Sequence, residues 1–375
     1  MLRHFRIAVL IAFPVVLPGR CLAGWGEAEQ EKASALAAAF VNPQPTGEHE
    51  QTPGLSVAIS RNGRILLAKG FGEALPSIPA TAETIYQIGS LTKQFTAAAV
   101  LGLIEQKAPV RAGAPLALDT PVEAVLPTAA AWSLDDRPTI TVRHLLTMTS
   151  NLPNFTRTPP ESTDPWGTVL APYLLDALSQ VKPLGGPGSF EYSNTGYFLL
   201  AELIESPRLE IAPRSYRDAL RELWTKAGLK DTGFHDDSAL GKRLAGPTYK
   251  RRPAFLYGDW LKGSADVSST VLDLQAWNKA LIEGRVLSDA MVREMFSEAA
   301  RVDVWSWYGM GWFVRRKDDV LYLTHSGSLP GYTSYNLIAR KSTSEWSSVT
   351  ILTNSYGVEG LDELAATLSE MALSD

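Results

Sequence analysis

The segment Ser90-Leu91-Thr92-Lys93 places a hydroxyl and an amine three positions apart. On a helix this spacing puts both side chains on the same face. A serine needs a base to become a nucleophile, and a lysine serves as that base only when it is neutral. Burial and the positive end of a helix dipole both oppose an ammonium, so a buried helix N-terminus favours the neutral amine. The motif predicts nucleophilic catalysis, and the alternative is an ordinary serine N-cap.

Two further motifs carry groups that transfer protons or hold a substrate. Tyr192-Ser193-Asn194 offers a phenol that can carry a proton once nearby cations lower its pKa, and an amide that can hold a carbonyl. His325-Ser326-Gly327-Ser328 follows a predicted strand, and its glycine permits close approach of an acyl group. We expect His325, with an ordinary pKa near 6.5, to act beside Tyr192 at the entrance of the site. The alternatives are a helix cap and a solvated histidine.

Other catalytic classes lack their motifs in this chain. No serine has the flanking glycines of Gly-x-Ser-x-Gly, and His-Glu-x-x-His is absent. The remaining histidines are scattered, and we interpret His235-Asp236-Asp237 as a solvated turn. We therefore predict no metal and no cofactor. A second Ser-x-x-Lys, Ser179 to Lys182, precedes a proline and is interpreted as a helix end at the surface.

The elements that must position these residues follow from apolar patterning. We predict a helix over 27–41 and a hairpin of strands 55–60 and 65–69, with Asn62-Gly63 in the turn. The helix over 90–106 is apolar on nearly all sides and is expected to be buried in the centre of the fold. Residues 112–252 are rich in helices and loops. Predicted helices there cover 141–148, 169–178, 195–205 and 216–227.

Strands return near the end of the chain. They are predicted over 311–316, 320–324, 334–339 and 348–353, and a helix follows over 360–373. The predicted fold class is α+β: one antiparallel sheet built from both ends of the chain and flanked by N- and C-terminal helices. Residues 112–252 would form an all-helical subdomain inserted beside it, within a single catalytic domain over 24–375.

The N-terminus and the composition set the compartment and the partners. Basic residues precede an apolar run over 7–17, and small residues occupy positions 21 and 23. We predict a signal peptide over 1–23, cleaved after Ala23, and a secreted or periplasmic protein; an uncleaved anchor is the alternative. The only cysteine is Cys21. A net charge of −5 provides no basic face for nucleic acid.

Taken in order, the three motifs resemble the serine β-lactamase and penicillin-binding-protein superfamily, which includes class C β-lactamases, DD-peptidases and related esterases. Similar segments are Tyr86 to Gly89, Leu118 to Val122, Ile140 to Leu146, Tyr192 to Tyr197, Tyr308 to Trp312 and His325 to Tyr332. The resemblance implies that Ser90 is acylated and that Lys93 and Tyr192 share its proton and later activate water. It also implies that Asn194 binds substrate and that the backbone N–H groups of Ser90 and Ser328 form an oxyanion hole.

The chain departs from this family at a few positions. His325 stands where most class C β-lactamases carry lysine, which favours the peptidase and esterase branches. Met148 and Asn151 stand where relatives often carry histidine and glycine, and we expect a local loop effect there. Four aromatic residues precede the third motif and are interpreted as core more than as a pocket: Trp305, Trp307, Tyr308 and Trp312.

The function predicted from the sequence is an exported serine hydrolase that forms an acyl-enzyme. Its expected substrates are D-amino-acid peptides or esters, including peptides derived from the cell wall. Hydrolysis of β-lactams is the first alternative. A penicillin-binding sensor without turnover is the second.

Overall fold

A computed structural model describes residues 25–41, 52–111, 113–132, 139–156, 186–211, 215–247 and 261–374. Several predictions fall outside these residues: the signal peptide over 1–23, the helix over 169–178 and the second Ser-x-x-Lys at 179–182. Within the described part of the chain, no helix has the length and apolar character needed to cross a bilayer.

Twelve strands occur in the described residues. They are β1 Gly54–Arg61, β2 Arg64–Leu75, β3 Ile78–Pro79, β4 Tyr86–Gln87, β5 Gly233–Phe234, β6 Val267–Ser269, β7 Ala300–Arg301, β8 Ser306–Tyr308, β9 Phe313–Lys317, β10 Val320–Leu329, β11 Tyr332–Arg340 and β12 Trp346–Thr353. Nine of them form one sheet in the order β3-β2-β1-β12-β11-β10-β9-β8-β7, and β4-β6-β5 form a small second sheet. The pairing of β1 with β12 is antiparallel and joins the two ends of the chain, as predicted.

Nine α-helices surround the sheets in the described residues. They are α1 Glu27–Ala38, α2 Thr92–Glu105, α3 Val122–Val125, α4 Val142–Leu146, α5 Asn194–Ile204, α6 Tyr216–Ala227, α7 Val271–Ile282, α8 Asp289–Met295 and α9 Leu361–Leu373. The large antiparallel sheet with these helices confirms the predicted α+β fold class. One short strand, β5, lies within the range predicted as an all-helical subdomain.

The sheet is covered on both faces, so both faces of its central strands are buried. Every residue of β12 is buried. The terminal helices α1 and α9 share one apolar cluster with β1, where Ala37 and Leu368 pack with Val57. The other face belongs to the larger core, which contains the apolar residues of α2. Helix α2 is therefore buried in the centre of the fold, as its composition predicted.

Candidate active site

Ser90 and Lys93 come together at the start of α2. Ser90 lies in the 3-10 turn Gly89–Leu91 that leads into the helix, and Lys93 lies in the first turn of the helix itself. The distance from Lys93 Nζ to Ser90 Oγ is 3.0 Å. Lys93 is 0% exposed, whereas Ser90 is only partly buried. The hydroxyl is therefore open to a substrate while the amine is shielded from water.

The neighbours of the Lys93 amine define what it can do. Burial lowers the pKa of Lys93 well below its ordinary value, and the Asp266 carboxylate acts in the opposite direction. Nζ lies 2.7 Å from Asn194 Oδ1 and 2.9 Å from the Ser264 carbonyl oxygen, and both oxygens only accept hydrogen bonds. A neutral amine donates its two hydrogens to these oxygens, which leaves its lone pair for the Ser90 hydroxyl. The arrangement is that of a general base.

Tyr192 is the second group on the Ser90 hydroxyl. Burial raises the pKa of the Tyr192 phenol above its ordinary value, and a hydrogen bond with the Ser90 side chain offsets this only partly. The Lys93 amine lies 5.0 Å from the centre of the Tyr192 ring. We expected nearby cations to lower this pKa, but a lysine held neutral supplies no cation. Tyr192 therefore remains protonated and can donate its hydrogen at the Ser90 hydroxyl.

His325 lies beside Tyr192, with ring centres 6.1 Å apart, but it is buried instead of lying at the entrance. Burial lowers the pKa of His325 to about 3. Nδ1 is 2.6 Å from the Ser326 carbonyl, so Nδ1 carries the hydrogen and Nε2 accepts from the Tyr308 hydroxyl at 3.2 Å. The expectation of a pKa near 6.5 is wrong because desolvation keeps this imidazole neutral.

Strand β10 packs directly against the turn that holds Ser90. A Cβ on Gly327 would lie 2.1 Å from the Ile88 carbonyl oxygen, and a Cβ on Gly89 would lie 3.0 Å from Ser328 N. Only glycine permits this approach, and Gly89 also has a φ of 53°. The backbones of Ser90 and Ser328 are thus brought together, as an oxyanion hole requires.

Beside the site, one edge of β10 has no strand partner among the described residues. Strand β9 pairs with β10 from Val320 as far as Thr324. Residues 325–329 continue the strand beyond this pairing, and on their other side they pair with β11. Apart from the Ser326 carbonyl, which accepts from His325 Nδ1, the backbone groups on this edge can meet an extended substrate.

Asn194 connects the Lys93 amine to a polar loop. Its Oδ1 accepts from Lys93, and its Nδ2 donates to Thr156 Oγ1 at 3.0 Å. The buried Asn154 side chain holds both partners, since its Oδ1 accepts from Asn194 N at 3.3 Å and from Thr156 Oγ1 at 2.9 Å. The sequence reading missed Asn154, Thr156 and Ser264. Ser264 contributes a carbonyl, which leaves no pattern of side chains, and Asn154 had no signal beyond its closeness to Asn151.

The loop after α4 departs from ordinary backbone geometry, as its two unusual residues predicted. Met148 and Asn151 have φ values of 56° and 55°. Asparagine tolerates this region and methionine rarely adopts it. The Met148 carbonyl accepts from Glu191 N at 2.9 Å, so this loop supports the chain immediately before Tyr192.

The aromatic cluster before the third motif divides into two parts. Tyr308 and Trp312 are fully buried, in agreement with the core interpretation, and Tyr308 bonds His325 as described. Trp307 packs against the core at half burial. Trp305 is 70% exposed and does not belong to the core, because it lies in the turn between β7 and β8.

The described residues contain no group of three His, Cys, Asp or Glu side chains placed to hold a metal ion. His235 is nevertheless not the solvated residue expected. Its ring nitrogens lie 2.9 Å from Ser268 Oγ and 2.9 Å from the Ala265 carbonyl oxygen. Burial lowers the pKa of His235 to about 4, so it is a neutral structural residue.

The fold and this site together define a protein of the β-lactamase and penicillin-binding class. The model of the Beta-lactamase family matches residues 36–370, and the chain belongs to that family.

The named relatives are distant in sequence from this chain. Protein flp of Staphylococcus aureus (strain COL) is 27% identical over 308 residues, which cover 77% of this chain and 57% of that protein. The chain thus spans little more than half the length of that relative. A penicillin-binding protein of Bacillus subtilis (strain 168) is 26% identical over 338 residues, which cover 82% of this chain and 69% of that protein.

Solved structures share the fold. The octameric penicillin-binding protein homologue from Pyrococcus abyssi has a TM-score of 0.72 and 26% identity, with coverage of 92% of this chain and 76% of that one. The D-amino acid amidase from Ochrobactrum anthropi SV3 has a TM-score of 0.68 and 22% identity, with coverage of 90% and 97%.

Proposed function

We propose that the protein is a serine hydrolase that forms an acyl-enzyme on Ser90. The observation that carries this proposal is the geometry at the serine hydroxyl: Lys93 Nζ lies 3.0 Å from Ser90 Oγ, and Tyr192 shares a hydrogen bond with the same side chain. In acylation the hydroxyl proton passes to Lys93 while Ser90 Oγ bonds to the substrate carbonyl carbon. The backbone N–H groups of Ser90 and Ser328 stabilise the oxyanion, and the proton then passes through Tyr192 to the leaving group.

Deacylation reverses the proton path. Water loses a proton to the Lys93–Tyr192 pair and attacks the acyl carbon, and Ser90 leaves with that proton. Each step uses only side chains and backbone N–H groups, so the mechanism involves neither metal nor cofactor.

The preferred substrates in this proposal are amides and esters of D-amino acids that carry no carboxylate. His325 is neutral at working pH, so it offers no cation to a substrate carboxylate of the kind that a β-lactam carries. Structural neighbours with the same fold include a D-amino acid amidase and a D-stereospecific amidohydrolase. Hydrolysis of cell-wall peptides uses the same acyl-enzyme chemistry, but peptides that end in a free carboxylate are disfavoured for the same reason as β-lactams. Export through the predicted signal peptide remains a proposal that rests on residues 1–23 alone.

A panel of four substrates tests this assignment: D-phenylalanine amide, L-phenylalanine amide, a p-nitrophenyl ester and nitrocefin. We expect the highest kcat/KM for the D-amide or the ester. Ser90→Ala should abolish turnover of all four, and Ser344→Ala, in an exposed turn, should leave it unchanged. A kcat/KM for nitrocefin far above the others would replace the proposed substrate class by β-lactams. Stoichiometric acylation without turnover would indicate a sensor.

A further inference from the structure

The segment over residues 261–266 passes behind Lys93 and contacts the helices around it. Lys262 donates to Glu202 Oε1 at 2.7 Å and to Glu205 Oε2 at 2.6 Å, which ties the segment to α5 and the residue after it. The Gly263 carbonyl accepts from Thr96 Oγ1 on α2 at 2.8 Å. The segment is therefore held against the two helices that begin at the active site.

The same segment ends at a carboxyl group with a link back to α2. Asp266 Oδ1 accepts from the Tyr216 hydroxyl of α6 at 3.1 Å. The Tyr216 oxygen also lies 3.3 Å from Thr96 Oγ1. Thr96 follows Lys93 by three residues and shares its face of the helix. Between these contacts the Ser264 carbonyl accepts from the Lys93 amine at 2.9 Å.

We propose that Asp266 is a positioning residue that controls both the placement and the charge of the Lys93 amine. This inference rests on the proposed function, in which the neutral amine takes the Ser90 proton. Through Tyr216, the carboxyl group fixes the segment that carries the Ser264 carbonyl. As a carboxylate it also attracts a proton to Lys93, and as a neutral acid it does not.

The surroundings of Asp266 allow this charge to change near neutral pH. Burial raises the pKa of Asp266 to about 7, and the Tyr216 hydrogen bond and nearby cations only partly oppose that effect. Charged or titratable groups face it from its own segment and from the packed elements: Lys262, Lys93 of α2, Tyr216 and Arg217 of α6, and His235, whose backbone N–H donates to the Asp266 carbonyl. The chain thus places a titrating acid within the electrostatic reach of its base.

The rate at which a fluorophosphonate probe labels Ser90, measured as a function of pH, tests this inference without knowledge of the substrate. Asp266→Asn keeps an oxygen that accepts from Tyr216 and removes the negative charge. Loss of that charge lowers the pKa of Lys93, so more amine is neutral at a given pH. In the profile of labelling rate against pH, we expect the midpoint on the acid side to move to lower pH by about 1 unit. This is the order of shift that one nearby charge produces. The control Asp218→Asn, an exposed acid on α6, should leave the midpoint unchanged.

A second variant tests the role of the Asp266 charge without altering the carboxyl group itself. Tyr216→Phe keeps the carboxyl group but removes its donor, which raises the pKa of Asp266 further and should move the midpoint in the same direction by a smaller amount. Profiles of both variants that superimpose on wild type, or a uniform drop in rate with no change of midpoint, would overturn the inference. Failure of the probe to label wild type at any pH would overturn the proposed function and this inference with it.

Discussion

Gly327 and Ile88 approach so closely that a Cβ on Gly327 would lie 2.1 Å from the Ile88 carbonyl oxygen. This contact joins strand β10 to the turn of Ser90, and it decides whether two backbone N–H groups converge on one substrate oxygen. A backbone carbonyl cannot move aside as the end of a flexible side chain can, so any larger residue must displace the strand.

Gly327→Ala should therefore lower kcat/KM by about 10²- to 10³-fold, the loss typical of one misplaced oxyanion donor. The matched control is Gly241→Ala, because nothing lies within 4 Å of a Cβ at that position. Steady-state kinetics on a p-nitrophenyl ester and a thermal melt of both variants provide the measurement. Full activity in a folded Gly327→Ala enzyme would contradict the oxyanion assignment.

Asn154→Ala should reduce kcat/KM by about 10- to 100-fold. Asn154 Oδ1 holds both the Asn194 backbone N–H and the Thr156 hydroxyl, which in turn accepts from the Asn194 side-chain amide beside Lys93. The variant also removes the acceptor of the part-buried Asn194 N–H and Thr156 hydroxyl, at a cost of about 1 kcal/mol in the free energy of unfolding. Asn354→Ala is the control, since that buried amide bonds Gly54 N and Glu73 O and has no hydrogen bond to Asn194, Thr156 or Lys93. An equal loss of activity in both variants would show that instability, and not geometry, is responsible.

The neutral state of His325 predicts how activity depends on pH. With a pKa of about 3, this imidazole is already deprotonated at about pH 5. Its titration therefore causes no rise or fall of kcat/KM between about pH 5 and 9. His325→Gln should change the absolute rate but leave the midpoints of the kcat/KM profile in place. Loss of a wild-type limb near pH 6.5 in this variant would show that His325 titrates in the working range.

The same residue predicts a change of stability with pH. In the unfolded chain His325 takes up a proton near pH 6.5, whereas in the folded chain it does so only near pH 3. The unfolded state is thus favoured as pH falls through this window, and stability is lost toward acid. Wild type should lose more free energy of unfolding between about pH 7 and 4 than His325→Gln, as measured by urea denaturation. Equal losses would contradict the buried, neutral assignment.

Much of the fold followed from patterns that act locally. The hairpin of β1 and β2 has Asn62 and Gly63 at positive φ, as its turn residues predicted. Helix α2 is apolar on nearly all sides and is buried. By contrast, the burial of His325 depends on Tyr308 and Phe313, whose rings lie 5.9 and 5.4 Å from it and come from two other strands. No pattern around position 325 carries that information.

In the candidate site, too, some residues could be predicted from local sequence patterns and others depend on tertiary packing. The three motifs identified Ser90, Lys93, Tyr192 and Asn194, because each acts through a side chain of characteristic chemistry. Ser264 acts through its carbonyl, and Asp266 acts through its charge and its bond to Tyr216. Their roles follow from the path of the chain behind α2, which only the folded structure shows.

The central claim is that Ser90 is the nucleophile, and covalent labelling tests it most directly. Wild type and Ser90→Ala are treated with a fluorophosphonate probe, digested, and mapped by tandem mass spectrometry. We predict one adduct on the peptide that contains Ser90, and no adduct in Ser90→Ala even though its melting temperature is unchanged. An adduct on Ser326 or another serine, with Ser90 unmodified, would contradict the account.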